Sequence, residues 1–537
     1  MARSFMFHSL ITLLQQARQA NLAAAGEPPA VARTQACWTR RRVLKTAGGA
    51  GLAAALPACN LISPSTPAPR IAVVGAGIAG LNAAYQLRNL GLEATVYEAR
   101  NRTGGRMFSV SGAVGEGLVT NLGGSLINTD HQDMLALADE LGVDLFNRIE
   151  DSAGTPFPAV RYFFEGRMIP EAELAGELRP LATQITVDAD RIDQDWDRYA
   201  PALDALSVAD YLDRHTDLIP ASWVRSLIED SIRTEYGVEP ADASALQLLF
   251  NLPTVEGRRV EILGASDEVY MVKGGSSRIT DALTKILDGH IRTGMQLTAI
   301  RRRGQGFRLS FTGQPEVGAE YVILTLPFGV LRQVDMAVDL PPMLRRFIDE
   351  LELGRNEKLF AGFRHRVWRR PDGFALEAWT DLGFPLVWEA TQSQTGREDA
   401  ALTFFFGGDQ VPGLQAGTAS AQGQAVVERF EAFVPGAREA ATGRYLRTNW
   451  SRDRFAQGAY SNFKPGQLST FRDFFYVESD DPRERRSVQA GNLVFAGEHL
   501  SDAFSGFMNG GAQTGRLAAE LVAGMVTERR ESPQIVQ

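Results

Sequence analysis

Residues 71–80 read Ile71-Ala72-Val73-Val74-Gly75-Ala76-Gly77-Ile78-Ala79-Gly80. The opening apolar run, rich in β-branched residues, suits a parallel strand buried on both faces. A stretch with helical period follows from Leu81 to Leu90 and stops at Gly91, where a left-handed residue ends a helix. Glu93 to Tyr97 read as a second strand running into Glu98. Each part of this βαβ unit has a mechanical use. Gly75 permits the tight turn, Gly77 lets backbone approach a pyrophosphate, and Gly80 lets helix pack on strand. The helix N-terminus offers free N–H groups and a partial positive charge to phosphates. Glu98 stands where a carboxylate can accept hydrogen bonds from ribose hydroxyls. Strand, helix and acid together point to an adenine dinucleotide. The alternative is a glycine-rich turn in an unrelated α/β fold.

Composition narrows the rest. The chain has 537 residues, 44% hydrophobic and 22% charged, with a net charge of −9. These values describe an ordinary globular protein with room for large cores, and they disfavour a broad nucleic-acid surface. The two cysteines, Cys37 and Cys59, both precede residue 60. The body can therefore build neither an internal disulfide nor a thiolate zinc site. The six histidines include no His-x-x-x-His pair, so no catalytic metal is expected.

The first seventy residues read as an address. Thr39-Arg40-Arg41-Arg42-Val43-Leu44-Lys45 precedes a weakly apolar run, Thr46 to Leu56. This is the pattern of a secretory signal, too short to span a bilayer, and its paired arginines resemble the twin-arginine variety. A basic helix N-terminus or a wrongly placed start is the alternative. Leu56-Pro57-Ala58-Cys59 resembles a lipoprotein cleavage box, which would anchor the chain to a membrane through Cys59; simple cleavage near Ala58 is the other outcome. The expected location is periplasmic or otherwise outside the cytoplasm. Residues 1–59 are thus read as signal and 60–69 as a Pro-rich linker.

Arg100-Asn101-Arg102-Thr103-Gly104-Gly105-Arg106 brings a cation and bare backbone towards a pyrophosphate. With Glu98 before it, this stretch resembles the flavin-containing amine oxidase family. Asn121-Leu122-Gly123-Gly124-Ser125-Leu126-Ile127 is similar to that family's next segment, except that Asn121 stands where an acid is common. The likeness returns at Lys273-Gly274-Gly275, at Ile291–Ile300, at Tyr321–Leu331, at LVFAGEH (493–499) and at Ser505-Gly506-Phe507-Met508-Asn509-Gly510-Gly511. It spans about residues 70–525, in family order.

The resemblance implies an α/β fold. A Rossmann-like FAD-binding domain would be assembled from 70–150, 261–331 and 461–525. An inserted α+β substrate domain with a mixed sheet would come from 151–260 and 332–460, and 526–537 would be a tail. Helices are expected around Leu203–Leu212 and Trp223–Thr234, and strands around Phe384–Trp388 and Ala401–Phe406. The implied FAD contacts are Gly75, Gly77, Ile78, Ala79, Gly80, Glu98, Gly105, Arg106, Gly123, Gly124, Ser125, Leu297, Gly497, Glu498 and Met508. In the family, a lysine at the position of Lys358 holds a water against flavin N5, and Tyr460 and Phe507 stand where two aromatic walls flank the substrate. Taken alone, these two rings would read as core aromatics.

The implied activity is oxidation of a small-molecule amine to an imine, hydrolysed to a carbonyl compound, with O2 or another acceptor taking the electrons. An L-amino-acid oxidase on the same fold is the first alternative, although no Arg follows Gly124 before Arg148. A flavin-binding or electron-transfer protein without oxidase activity is the second. In some members a cysteine before the first aromatic wall bonds the flavin. Here Ala459 holds that place, so noncovalent FAD is expected.

Overall fold

In the computed structural model, Ile71–Val74 is the centre of a six-stranded sheet. Residues 18, 20, 21 and 68–531 are described, so the signal, lipidation and most linker expectations, which fall on residues before 68, lie outside them. The sheet runs, edge to edge, through Ile291–Arg292, Ala94–Tyr97, Ile71–Val74, Tyr321–Leu324, Leu493–Phe495 and Gln489–Ala490. All neighbours are parallel except the last pair. Val73 and Ile323 sit side by side with no exposure, as expected where helices cover both faces.

Two helices start beside the same strand ends. Ile78–Asn89 follows the glycine turn, and Met508–Glu531 follows the last strand. They pack closely because the second is paved with glycine. A Cβ on Gly511 would meet Ile78 Cγ2 at 2.8 Å, and one on Gly515 would meet the Ala79 carbonyl oxygen at 2.3 Å. The last helix runs to Glu531, past the tail boundary read at 526.

A seven-stranded sheet stands apart from the first. Its order is Ala441–Arg447, Asn356–Phe363, Ala400–Gly407, Leu386–Glu389, Glu377–Thr380, Val160–Phe164 and Arg167–Ile169. Only the Glu377–Thr380 and Val160–Phe164 pair is parallel. That pair joins two stretches of chain separated by more than two hundred residues. Asn356–Phe363 and Ala400–Gly407 are buried along their whole length. Alternation then divides their side chains. Leu359, Ala361 and Phe363 enter one core with Leu402, Phe404 and Phe406, and Lys358 is turned to the opposite face beside Phe405.

Helices line the flank. The patterning at Leu203–Leu212 is two helices rather than one: Trp196–Asp204 ends, and Val208–Arg214 begins after a capping box made by Ser207 and Asp210. That reciprocal pair satisfies both first-turn donors, so a break costs little there. Ser222–Tyr236 ends on Gly237 in the left-handed region. Residues 461–488 stay outside the six-stranded sheet: Ser461–Asn462 pairs instead with Glu352–Leu353. From the N-terminal part, Asn21 is buried and donates to Thr186 Oγ1 at 2.8 Å and the Pro253 carbonyl at 3.1 Å.

Candidate active site

One cavity of about 460 Å³ runs along the carboxyl ends of the parallel strands and on under the second sheet. Of the residues picked from the sequence, all but Gly80 line it. Gly80 is a correction: it lies behind the wall, where a Cβ would sit 1.9 Å from the Gly75 carbonyl oxygen. Its role is helix-on-turn packing.

The cofactor end is built from backbone. Gly75 has φ +106°, a conformation L side chains rarely adopt. The Ile78–Asn89 helix has no side-chain cap and no acid in its first turn, so its N–H groups are left for an anion. A Cβ on Gly77 would touch only Gly105 Cα, at 4.0 Å. That cradle is open from the cavity side and fits a pyrophosphate. Glu98 is buried; its carboxylate accepts from Ala76 N and Arg100 N, both at 2.8 Å. It therefore holds the turn in shape as well as facing the cavity. Leu297 lines the wall where the strand register slips beside Ala299.

Arg106 donates to Glu498 Oε1 at 2.7 Å and to the Ala459 carbonyl at 2.6 Å. The other Glu498 oxygen accepts from Ser461 Oγ at 2.8 Å and Gly506 N at 2.9 Å. Burial pushes its carboxyl up, but Arg106, with the Ser461 hydroxyl, outweighs burial and holds it below the ordinary range. Glu498 is thus the knot that ties three cavity segments together. Gly497 precedes it, and Met508 packs against Gly124, where a Cβ would meet its sulfur at 2.5 Å.

Lys358 crosses from the second sheet. Its ammonium donates to the carbonyls of Gly123 (2.6 Å) and Asn121 (3.2 Å) and to Ser125 Oγ (2.7 Å). Burial pushes its pKa down to about 7. Asn121 itself accepts from Ser109 Oγ and Ser276 N through its side chain, so it pins the loop rather than facing the cavity.

The rings come from elsewhere. Tyr460 follows Ala459, whose N–H bonds to Gly354, and its own carbonyl accepts from Gly354 N. Its hydroxyl donates to the Thr234 carbonyl in the last turn of Ser222–Tyr236. Asn356, two residues before Lys358, caps the same turn through the Arg233 and Thr234 carbonyls. Phe507 lies edge-on to His131, centroids 5.0 Å apart. Burial lowers the His131 pKa to about 3, and burial with Asp267 raises neighbouring Asp130 to about 6.

Sequence reading missed the far wall: Glu235, Glu268, Phe250, Leu263, Trp388 and Phe405. Trp388 and Phe405 meet edge to face at 5.3 Å. Glu235 and Glu268 are more than thirty residues apart in sequence, and no spacing rule joins them.

Comparison with known proteins bears on the family and the fold. The family model for flavin containing amine oxidoreductases matches residues 78–523. The chain is 22% identical over 486 residues to an L-amino acid dehydrogenase of Synechocystis, covering 88% of this chain and 98% of that protein. It is 24% identical over 470 residues to the flavin-containing amine oxidase B of Sus scrofa, covering 84% and 85%. Among solved structures, the cyclohexylamine oxidase of Brevibacterium oxydans superposes with a TM-score of 0.72 at 23% identity, covering 86% of this chain and 100% of that one. A putrescine oxidase bound to putrescine gives 0.70 at 20% identity, covering 85% and 99%. At such identities the structures speak to the fold alone. The family match extends across most of the chain, from the glycine turn to the last helix, and the chain belongs to the flavin-containing amine oxidoreductase family, as an amine oxidoreductase.

Proposed function

We propose that this enzyme oxidises the C–N bond of a small-molecule amine to an imine, which hydrolyses to a carbonyl compound, with noncovalent FAD as cofactor and O2 as acceptor. The observation that carries the reading is Lys358: a buried amine reaching from the second sheet to the 121–125 segment, held by Gly123, Asn121 and Ser125, on the cavity that Tyr460 and Phe507 also line. The cofactor-side lobe would hold FAD through the uncapped helix N-terminus, Glu98 and the Gly77–Gly105 cradle. The flavin, when bound, accepts the hydride and passes electrons on. The chain supplies the rest. It orients the amine between aromatic walls, keeps water out with Phe250, Leu263, Trp388 and Phe405, and places a titratable amine beside the reaction space. Noncovalent attachment is supported by the absence of cysteine after Cys59 and by Ala459 before Tyr460. Acid precipitation should release intact FAD into the supernatant; fluorescence that stays with the denatured chain would refute it.

The relative from Synechocystis keeps an L-amino-acid reading in view. Among the described residues, the arginines that line the cavity are Arg100, Arg106 and Arg454. Arg106 is engaged at Glu498, Arg100 at Asp453, and Arg454 lies by Gln296 next to the adenine-side segment. None stands among the far-wall residues to receive a substrate carboxylate. Amines are therefore preferred. Anaerobic addition of amines and L-amino acids to the yellow enzyme decides it: bleaching by amino acids and not by amines would overturn the preference. Export by the twin-arginine route, with a lipid anchor at Cys59, belongs to the same reading and rests on residues 39–59 alone. Changing Arg40 and Arg41 to Lys should leave a folded, yellow protein in the cytoplasm.

A further inference from the structure

The Lys358 ammonium is buried, and its three acceptors, the Asn121 and Gly123 carbonyls and Ser125 Oγ, are all neutral oxygens. A fourth contact comes from the sheet that carries it. The centroid of the Trp388 ring lies 5.5 Å from Lys358 Nζ. A cation at that distance is attracted by the negative face of an indole, and more strongly where water is excluded.

Strand register explains why the two meet. Lys358 is paired with Phe405, and Trp388 with Thr403, two residues from Phe405 on the same strand. Paired residues share a face of a sheet, and so do residues two apart. Lys358, Phe405 and Trp388 are thus neighbours on one face, and all three line the cavity. Phe405 meets the buried indole edge to face, at an interplanar angle of 76°, which holds the ring in orientation.

The charged groups nearby leave the ring a part to play. Burial opposes the ammonium, and the charge of Glu268 favours it. Glu268 is itself 3.7 Å from Arg148. Glu377, the register partner of Trp388, lies 4.0 Å from Arg148 and accepts from Trp379 Nε1 at 3.3 Å. Glu235 lines the same cavity from the last turn of Ser222–Tyr236. Glu357, beside Lys358 in the chain, is engaged with Thr448 and Ser451, and Glu389, beside Trp388, with Arg366 and Arg369.

We propose that Trp388 is a positioning residue that acts through Lys358: the face of its indole holds the ammonium in place and in its charged form. A wall residue of the cavity thereby sets the pH range over which the cation is present. The contact belongs to the chain alone. Its consequence for reoxidation rests on the amine-oxidase reading above, and the test separates the two.

The chain has five lysines, Lys45, Lys273, Lys285, Lys358 and Lys464, so a lysine label is resolvable. Oxidised holoenzyme carrying lysine labelled with carbon-13 at Cε is titrated by NMR, and the Lys358 signal is identified by its loss in Lys358→Met. The titration is repeated on wild-type sequence grown with mono-, di- and trifluorinated tryptophan, which drain the ring face of charge at nearly constant shape. The pH of the Lys358 midpoint should fall with each added fluorine. Trp388→Leu should lower it by about 0.5–1.5, the scale of one desolvated cation–ring contact. Trp388→Phe, which keeps a ring face, should recover part of that fall. A midpoint indifferent to fluorination refutes the proposal. So does a midpoint raised in Trp388→Leu, the result of merely admitting water. Should Trp388→Leu fail to fold, the fluorinated series decides alone. Stopped-flow reoxidation at pH 7 should slow in the same order. If the midpoint moves and reoxidation does not follow, the ring contact stands and the oxidative role of Lys358 falls.

Discussion

Lys358 shows how a single residue acquires its chemistry from its neighbours. Strand alternation fixes its face, because Leu359, Ala361 and Phe363 fill the core on the other side. Burial then lowers its pKa from the ordinary lysine value to about 7. The sign follows directly: Lys358 is an ammonium below pH 7 and a neutral amine above it. If the cation assists electron transfer to O2, reoxidation of the reduced enzyme should slow as pH rises through about 7. Lys358→Met should be slow at every pH, by roughly ten- to a thousandfold at pH 6, the span of one lost electrostatic contact. Stopped-flow reoxidation across pH 6–9 checks both. A flat wild-type profile would remove Lys358 from the oxidative step. Lys358 and the two rings were legible because short motifs flank them. Glu235 and Glu268 were not, because what joins them is a shared cavity and not a local pattern.

At the scale of elements, the contact between Ile78–Asn89 and Met508–Glu531 decides whether both helix N-termini reach the cofactor lobe. Gly515 makes that approach, with its missing Cβ only 2.3 Å from the Ala79 carbonyl oxygen. Gly515→Ala should push the helices apart, destabilise by about 1–3 kcal/mol and weaken FAD retention. Gly524→Ala in the same helix meets nothing within 4 Å, and should stabilise by about 0.5–1 kcal/mol through helix propensity. Thermal melts of the pair, with flavin content, test the contrast; equal effects would show that propensity, not packing, governs this helix. The sequence showed a glycine-rich helix start here but not its partner. The break at Ser207 was also hidden: apolar spacing continues across it, and only the Ser207–Asp210 capping box shows that the helix restarts.

At the scale of the molecule, the cavity is shared by both sheets, and the ion pair of Arg100 with Asp453, held by two N–H···O contacts, bridges the segments that close the cofactor end. Noncovalent FAD would bind only the folded chain. Stripping it should lower the melting temperature, and returning it should restore stability in proportion to its concentration, by about 4 kcal/mol at ~1,000-fold over Kd. A melting temperature indifferent to added FAD would contradict noncovalent binding. By itself the sequence determined the βαβ unit, the order of the cofactor segments and the family, since these depend on period, glycine placement and contiguous motifs, which are local. Tertiary structure alone decided that Val160–Phe164 and Glu377–Thr380 share one sheet, that residues 461–488 stay outside the six-stranded sheet, and that Glu235, Glu268 and Lys358 line one cavity. Those arrangements come from pairing and burial between residues far apart in the chain. Local propensity carries no information about such contacts, because the free energy that selects them is released only when the two distant segments exclude water together.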